Sequence, residues 1–156
     1  WSSTCALPIS RKSTPEVDFP CFTGKSERNA FLSACDILVC LLPLTPETRA
    51  VLGQAVFDAL PEGAFLINAA RGGHLDENAL LESLDSGRLS GACLDVFQQE
   101  PLPEEHPFWS HPGIRITPHV ASVSDPDTIA AQLIANYRAL ISGNKPANLV
   151  DLDRGY

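Results

Sequence analysis

Two hydrophobic patterns alternate along this chain. Short unbroken apolar runs, bounded by Gly, Pro or acidic residues, are separated by stretches whose apolar positions recur at helical spacing. Asp36-Ile-Leu-Val-Cys-Leu-Leu-Pro43 carries no polar residue after Asp36 and predicts a strand buried on both faces. Ala64 to Ala70 predicts a second strand, Gly91 to Phe97 a third interrupted by Asp95, and Ile114 to Thr117 a fourth that stops at Pro118. Between them the pattern turns helical. Ser26 is placed to cap a short helix reaching about Ala34, and Thr45-Pro46-Glu47-Thr48 reads as a helix start with Pro at the first helical position. Gln54 to Leu60 predicts another helix. Asp76 opens one whose Leu80, Leu81 and Leu84 share a face before Gly87 ends it. Asp125-Pro126 caps a long last helix with Ile129, Leu133, Ile134, Tyr137, Leu140 and Ile141 on its apolar side and Gly143 at its end.

Strands alternating with helices imply a parallel, doubly wound α/β sheet. In such sheets ligands bind beyond the carboxyl ends of the strands. Right-handed crossovers place Arg71, Asp95 and His119 together at that edge. Arg71 enters a glycine-flanked turn straight after an apolar strand, an arrangement that suits an anion grip whose glycines let a ligand approach the backbone. Asp95 sits among apolar residues, where an unpaired carboxylate is costly; read alone, a structural hydrogen bond explains it as well. Read alone, Glu100 is a surface acid and His119 a structural histidine. In combination they allow a definite chemistry. An Arg holds a carboxylate through two parallel hydrogen bonds, a His exchanges a proton near neutral pH, and a Glu bonded to its other ring nitrogen orients it. Such a site can bind a small keto acid and protonate its carbonyl oxygen, with the hydride coming from a cofactor.

The remaining numbers narrow the classes. The chain has 156 residues, 44% hydrophobic and 19% charged, with a formal net charge of -8. That composition fits one globular domain and argues against a nucleic-acid surface or an anionic membrane as partner. No apolar run approaches the roughly 20 residues of a membrane span. The five cysteines show no metal-binding spacing, and no metal site is expected. They read as buried free thiols of a cytoplasmic protein.

Leu60 to Asp76, with Ala69-Ala70-Arg71-Gly72-Gly73-His74 at its centre, resembles the signature of the D-isomer-specific 2-hydroxyacid dehydrogenases across its full width. Leu94-Asp-Val-Phe97, Glu100-Pro101 at 29 residues beyond Arg71, and Thr117-Pro118-His119 complete the resemblance. Within that family the chain is similar to the bacterial glyoxylate and hydroxypyruvate reductases, to which Leu84-Asp-Ser-Gly-Arg88 and Asp153-Arg-Gly-Tyr156 also correspond. The resemblance implies a Rossmann-type NAD(P)-binding domain in a cytoplasmic, homodimeric reductase of small 2-keto acids. By the same resemblance Arg71 binds substrate, His119 is the acid/base and Glu100 pairs with it. Asp95 meets the nicotinamide carboxamide, Ala69 and Ala70 line the ring, Leu42 and Pro43 cover the adenosine side, and Arg11 with Lys12 favours the 2′-phosphate of NADPH over NADH.

Three features depart from the family pattern. No Gly-x-Gly-x-x-Gly phosphate loop occurs, the chain begins at Trp1, and it contains no Met. These imply a chain that lacks the first strand, the phosphate loop and part of the substrate domain, and that by itself binds cofactor weakly and does not turn over. Ser3 to Ile9 separates two halves of a basic turn and matches nothing in the family, as expected of a foreign insertion. Residues 14–124 then form the C-terminal part of the cofactor domain, and residues 125–156 a helix and tail that pack on the substrate domain. A dinucleotide-sensing binding module and an inactive gene fragment are the alternatives.

Overall fold

In the computed structural model the described residues are 9–10, 22–24, 26–122 and 124–150. Arg11, Lys12, most of the Ser3–Ile9 segment and Asp153–Tyr156 lie outside them. Two short strands, β1 (Ile9–Ser10) and β2 (Phe22–Thr23), pair in parallel. Next come α1 (Arg28–Leu32), β3 (Ile37–Cys40), α2 (Gln54–Phe57), β4 (Ala64–Asn68), α3 (Glu77–Asp85), β5 (Leu89–Leu94), β6 (Ile114–Ile116) and α4 (Pro126–Ile141). Strands β3 to β6 form one parallel sheet in sequential order, as expected of an α/β Rossmann-type fold.

Sequential order means that each crossover steps the same way, which puts the crossover helices on a single face among the described residues. The core shows which face. Leu38, Leu66, Ala92 and Leu94 from the strands are buried with Val56 and Phe57 of α2 and Leu80 and Leu84 of α3. The opposite face corrects the expectation that the first apolar run is buried on both sides. Ile37 is 58% exposed and Val39 48%, while Leu38 and Cys40 between them are buried. Their neighbours in register, Phe65 and Ile67, are only partly covered. Beyond Cys40 the strand has ended, and Leu41 and Leu42 project into solvent at the sheet edge.

Caps explain the two well-formed helices. Asp76 accepts the Ala79 amide at the start of α3, and Asp125 accepts the Thr128 amide at the start of α4. Gly87 and Gly143, both at positive φ, follow their ends. Ser26 caps nothing; α1 starts one residue after Glu27 and has no side-chain cap. The helix expected from Thr45 is a single turn. Thr48 Oγ1 takes the Thr45 amide at 2.8 Å and donates to the Pro43 carbonyl at 2.8 Å. The chain then leaves helical geometry at Ala50 (φ 50°) so that the Ala50 and Leu52 amides reach the Gly73 and His74 carbonyls, each at 2.9 Å. Pairing with the Arg71 turn therefore overrides local helix propensity.

Candidate active site

The carboxyl ends of β3, β4, β5 and β6 carry the candidate residues, and the fold brings most of them together. The turn after β4 is organised from within. Asn68, fully buried, accepts the Ala70 amide and donates from Nδ2 to the Arg71 carbonyl at 3.2 Å. His74, also fully buried, places Nδ1 3.0 Å from the same carbonyl and Nε2 3.2 Å from the carbonyl of Pro43. Its ring therefore ties the Arg71 turn to the loop after β3. Gly72 also has a structural role. A Cβ there would stand 1.9 Å from the Phe97 carbonyl carbon and oxygen, so the bare glycine admits the chain's own backbone after β5. With its carbonyl held by Asn68 and His74, Arg71 stays exposed and spends one hydrogen bond, 2.6 Å, on the Ala70 carbonyl.

Asp95 is the first residue past β5, not an interruption within it. It is 4% exposed and accepts three hydrogen bonds from the loop after β6. Oδ1 accepts the Thr117 hydroxyl at 2.5 Å and the Val120 amide at 2.9 Å; Oδ2 accepts the Ala121 amide at 2.9 Å. Burial pushes its carboxyl up, but the Thr117, Ala121 and Val120 donors, with His119 nearby, outweigh burial and hold it below the usual carboxylate range. These bonds fold the loop after β6, where His119 adopts φ 55°, a left-handed conformation that His tolerates better than most residues and that costs energy unless its surroundings impose it.

His119 Nδ1 lies 2.8 Å from Glu100 Oε2. A carboxylate only accepts, so Nδ1 carries the hydrogen and Nε2 is left for other partners. Glu100 Oε1 accepts the Phe97 amide at 2.9 Å, and the peptide linking Glu100 to Pro101 is cis. The His119 hydrogen bond, then the Phe97 amide, then the charges of His119 and Arg71 hold the Glu100 carboxyl below its usual value against a smaller effect of burial. Arg71, Glu100 and His119 line one cleft of about 400 Å³ with Leu44, Arg49, Gly72, Gly73, Phe97 and Gln98. A second cleft, of about 650 Å³, is lined by Leu41, Leu42, Pro43, Leu44, Ala69, Ala70 and Arg71. Arg71 and Leu44 are shared by the two.

Comparison with known proteins defines the family. The profile described as "D-isomer specific 2-hydroxyacid dehydrogenase, NAD binding domain" matches residues 7–121. The chain belongs to the D-isomer specific 2-hydroxyacid dehydrogenase family. It is 50% identical over 135 residues to glyoxylate/hydroxypyruvate reductase A of Serratia proteamaculans, an alignment covering 86% of this chain and 43% of that protein. A D-isomer specific 2-hydroxyacid dehydrogenase from Xanthobacter autotrophicus, crystallised with NADPH and MES, superposes with a TM-score of 0.92 at 41% identity, over 96% of this chain and 62% of that one. An NADPH-dependent glyoxylate/hydroxypyruvate reductase from Sinorhizobium meliloti, crystallised with NADP and sulfate, gives 0.90 at 38% identity, over 96% of this chain and 49% of that one. The chain thus spans about half the length of the relatives it matches.

For a member of this dehydrogenase family, reading the sequence missed the residues that build the turn. Asn68 and His74 lie inside the motif without any chemistry that singles them out, and Thr117 enters the motif only as a neighbour of His119. The available signal was a polar residue ending an apolar strand and a histidine buried in a Gly-Gly-His-Leu run. Of the described cysteines, Cys35 and Cys40 are buried free thiols, as expected, whereas Cys93 is only partly buried. Among the described residues no group of His, Cys, Asp and Glu is placed to hold a metal ion, and no helix is long and apolar enough to cross a membrane.

Proposed function

We propose that this chain supplies the catalytic side chains and the nicotinamide side of an NADPH-dependent reductase that converts glyoxylate, hydroxypyruvate and similar small 2-keto acids to D-2-hydroxy acids. The observation that carries the reading is the cleft in which an exposed Arg71 faces a His119 whose Nδ1 is held by Glu100. Arg71 grips the substrate carboxylate through its remaining guanidinium donors. His119, oriented by Glu100, delivers a proton from Nε2 to the carbonyl oxygen. The second cleft suits the cofactor: the small side chains of Ala69 and Ala70 let the flat nicotinamide ring approach the backbone, and Leu42 and Pro43 form the apolar wall that covers the adenosine side. When bound, the cofactor supplies the hydride, that is, both electrons of the reduction. Asp95 keeps one of a carboxylate's roughly four lone-pair sites for the carboxamide, while its main work is to fold the His119 loop. Preference for NADPH is supported by the relatives crystallised with NADPH and NADP. Arg11, which lies outside the described residues, is the group assigned to the 2′-phosphate.

The family resemblance adds a cytoplasmic homodimer to this reading, with residues 14–124 in the cofactor domain. Residues 125–156 form a segment that packs on the substrate domain of the longer relatives. In support, none of the 16 residues of α4 is buried. Leu133, Tyr137, Leu140 and Ile141 are each more than 60% exposed. The test is His119→Asn in the full-length enzyme. It lowers kcat for glyoxylate by about 10²–10⁴-fold, the usual contribution of a positioned general acid. Turnover within about threefold of wild type would refute the role, being far outside that range.

A further inference from the structure

The cleft holding Arg71 contains a second arginine that the reduction of a simple keto acid does not use. Arg49, from the turn after Thr45, lies on its wall beside Leu44 and Gly73. A Cβ built on Gly73 would stand 3.0 Å from Leu44 Cδ2 and 3.4 Å from Arg49 Nη1, so the guanidinium rests over the bare face of that glycine. Among the described residues the Arg49 side chain makes no hydrogen bond and no ion pair. Glu100, the carboxylate of this cleft, is already shared between the His119 ring and the Phe97 amide. Arg49 is absent from the wall of the second cleft, which places it on the substrate side and not beside the nicotinamide. A guanidinium offers five donors in a fixed plane and pairs best with a planar carboxylate.

We propose that Arg49 is a second anion-binding group of the substrate cleft, and that the enzyme takes 2-keto acids bearing a second carboxylate in preference to acids of equal length with an uncharged end. The proposal rests on reading the cleft as a site of keto-acid reduction. Arg71 holds the carboxylate next to the carbonyl and Arg49 the distal one. The chemistry is unchanged. The bound cofactor would supply the hydride to the keto carbon, and His119 Nε2 would give its proton to the oxygen that receives the carbonyl π pair, so that the product is the 2-hydroxy dicarboxylate.

Oxaloacetate and 2-ketobutyrate test it, because they differ by a carboxylate in place of a methyl at the distal carbon. The readout is the ratio of their kcat/KM values in the full-length enzyme with NADPH. Wild type favours oxaloacetate. Arg49→Leu lowers that preference by about tenfold or more, the discrimination expected of one charge-assisted hydrogen bond, and Arg49→Lys retains part of it. A preference unchanged in Arg49→Leu, or a wild type that favours 2-ketobutyrate, overturns the assignment while leaving the reductase reading intact. A wild type that reduces neither acid and does not reduce glyoxylate overturns both. Should Arg49→Leu fail to fold, inhibition of wild-type glyoxylate reduction by succinate and by butyrate reads the same contact; stronger inhibition by succinate is expected, and equal inhibition overturns the proposal.

Discussion

Gly72→Ala is the most direct perturbation of the framework behind Arg71. The backbone at Gly72 is not in the left-handed region, so alanine brings no conformational penalty of its own and the cost lies in contact alone. The added Cβ would meet the Phe97 carbonyl carbon and oxygen at 1.9 Å and the Gln98 nitrogen at 2.4 Å, where ordinary contact begins near 3.4 Å. Phe97 must therefore retreat by about 1.5 Å, and it is backbone, with no rotamer into which to escape. The retreat pulls on the Phe97 amide, which donates to Glu100, which in turn holds His119. Overpacking of this kind costs about 1–3 kcal/mol, and a backbone collision belongs at the upper end, about 3 kcal/mol. For a chain of this size that lowers Tm by roughly 6–12 °C. Gly73→Ala is the internal control. Its Cβ meets the tips of the Leu44 and Arg49 side chains at 3.0 and 3.4 Å, and both can swing aside, so a loss below about 1 kcal/mol is expected. Thermal unfolding followed by circular dichroism decides the matter. A Gly72→Ala variant melting within about 2 °C of wild type, or no more affected than Gly73→Ala, would refute the close backbone approach.

Two further substitutions probe the groups that shape the site. Asp95→Asn turns one acceptor into an NH₂ that faces the Ala121 amide or the Val120 and Thr117 donors, and costs about 2 kcal/mol at pH 7. Because the folded carboxyl lies below its unfolded value of about 3.9, the stability it contributes is complete above that pH and is lost as pH falls through the folded value. The gap between wild type and Asp95→Asn in urea midpoints should therefore close as pH falls below about 4, and a constant gap would show that the charge is not what stabilises the loop. His74→Leu removes the ring contacts to the Arg71 and Pro43 carbonyls, yet Asn68 still donates to the first and Thr48 to the second. The expected cost is about 1–2 kcal/mol, read as a lower urea midpoint at unchanged m; a loss above about 4 kcal/mol would mark the ring as a packing residue of the core and not a tether.

The strand and helix order was legible because each element carries its own local signal. The caps Asp76 and Asp125 and the glycines at 87 and 143 behave in the fold as their types predict. What misled was the sidedness of the first apolar run. Composition records that Ile37 and Val39 are apolar but not whether anything covers them, and among the described residues sequential strand order leaves their face without crossover helices. The expected helix at Thr45 failed for a related reason, since its competitor was a pairing with residues 73–75, more than twenty positions away. At the site, Arg71, Glu100 and His119 could be picked out because their chemistry is foreign to their neighbours. Asn68 and His74 work through carbonyl groups, to which every residue contributes alike, so no residue type flags their partners.

The electrostatics of the cleft run against those of the chain. A net charge of -8 would repel an anionic keto acid if charge acted as a single sum. Screening removes that sum beyond roughly 8–10 Å at physiological salt, so a ligand at the sheet edge responds to the groups lining the cleft. Those are Arg49 and Arg71 against one carboxylate, Glu100, which the His119 ring and the Phe97 amide have already claimed. The local field is thus positive within a negative chain. The hydrogen bonds that depress Glu100 also maintain this pattern, because they keep its charge directed at His119 and away from the space where the substrate carboxylate must sit. Arg71 can then remain unpaired without becoming an internal ion pair that a substrate would have to break. An Arg71–Glu100 salt bridge would have been the obvious way to satisfy both groups; placing the histidine between glutamate and ligand keeps the arginine free for its anion and the imidazole oriented for its proton.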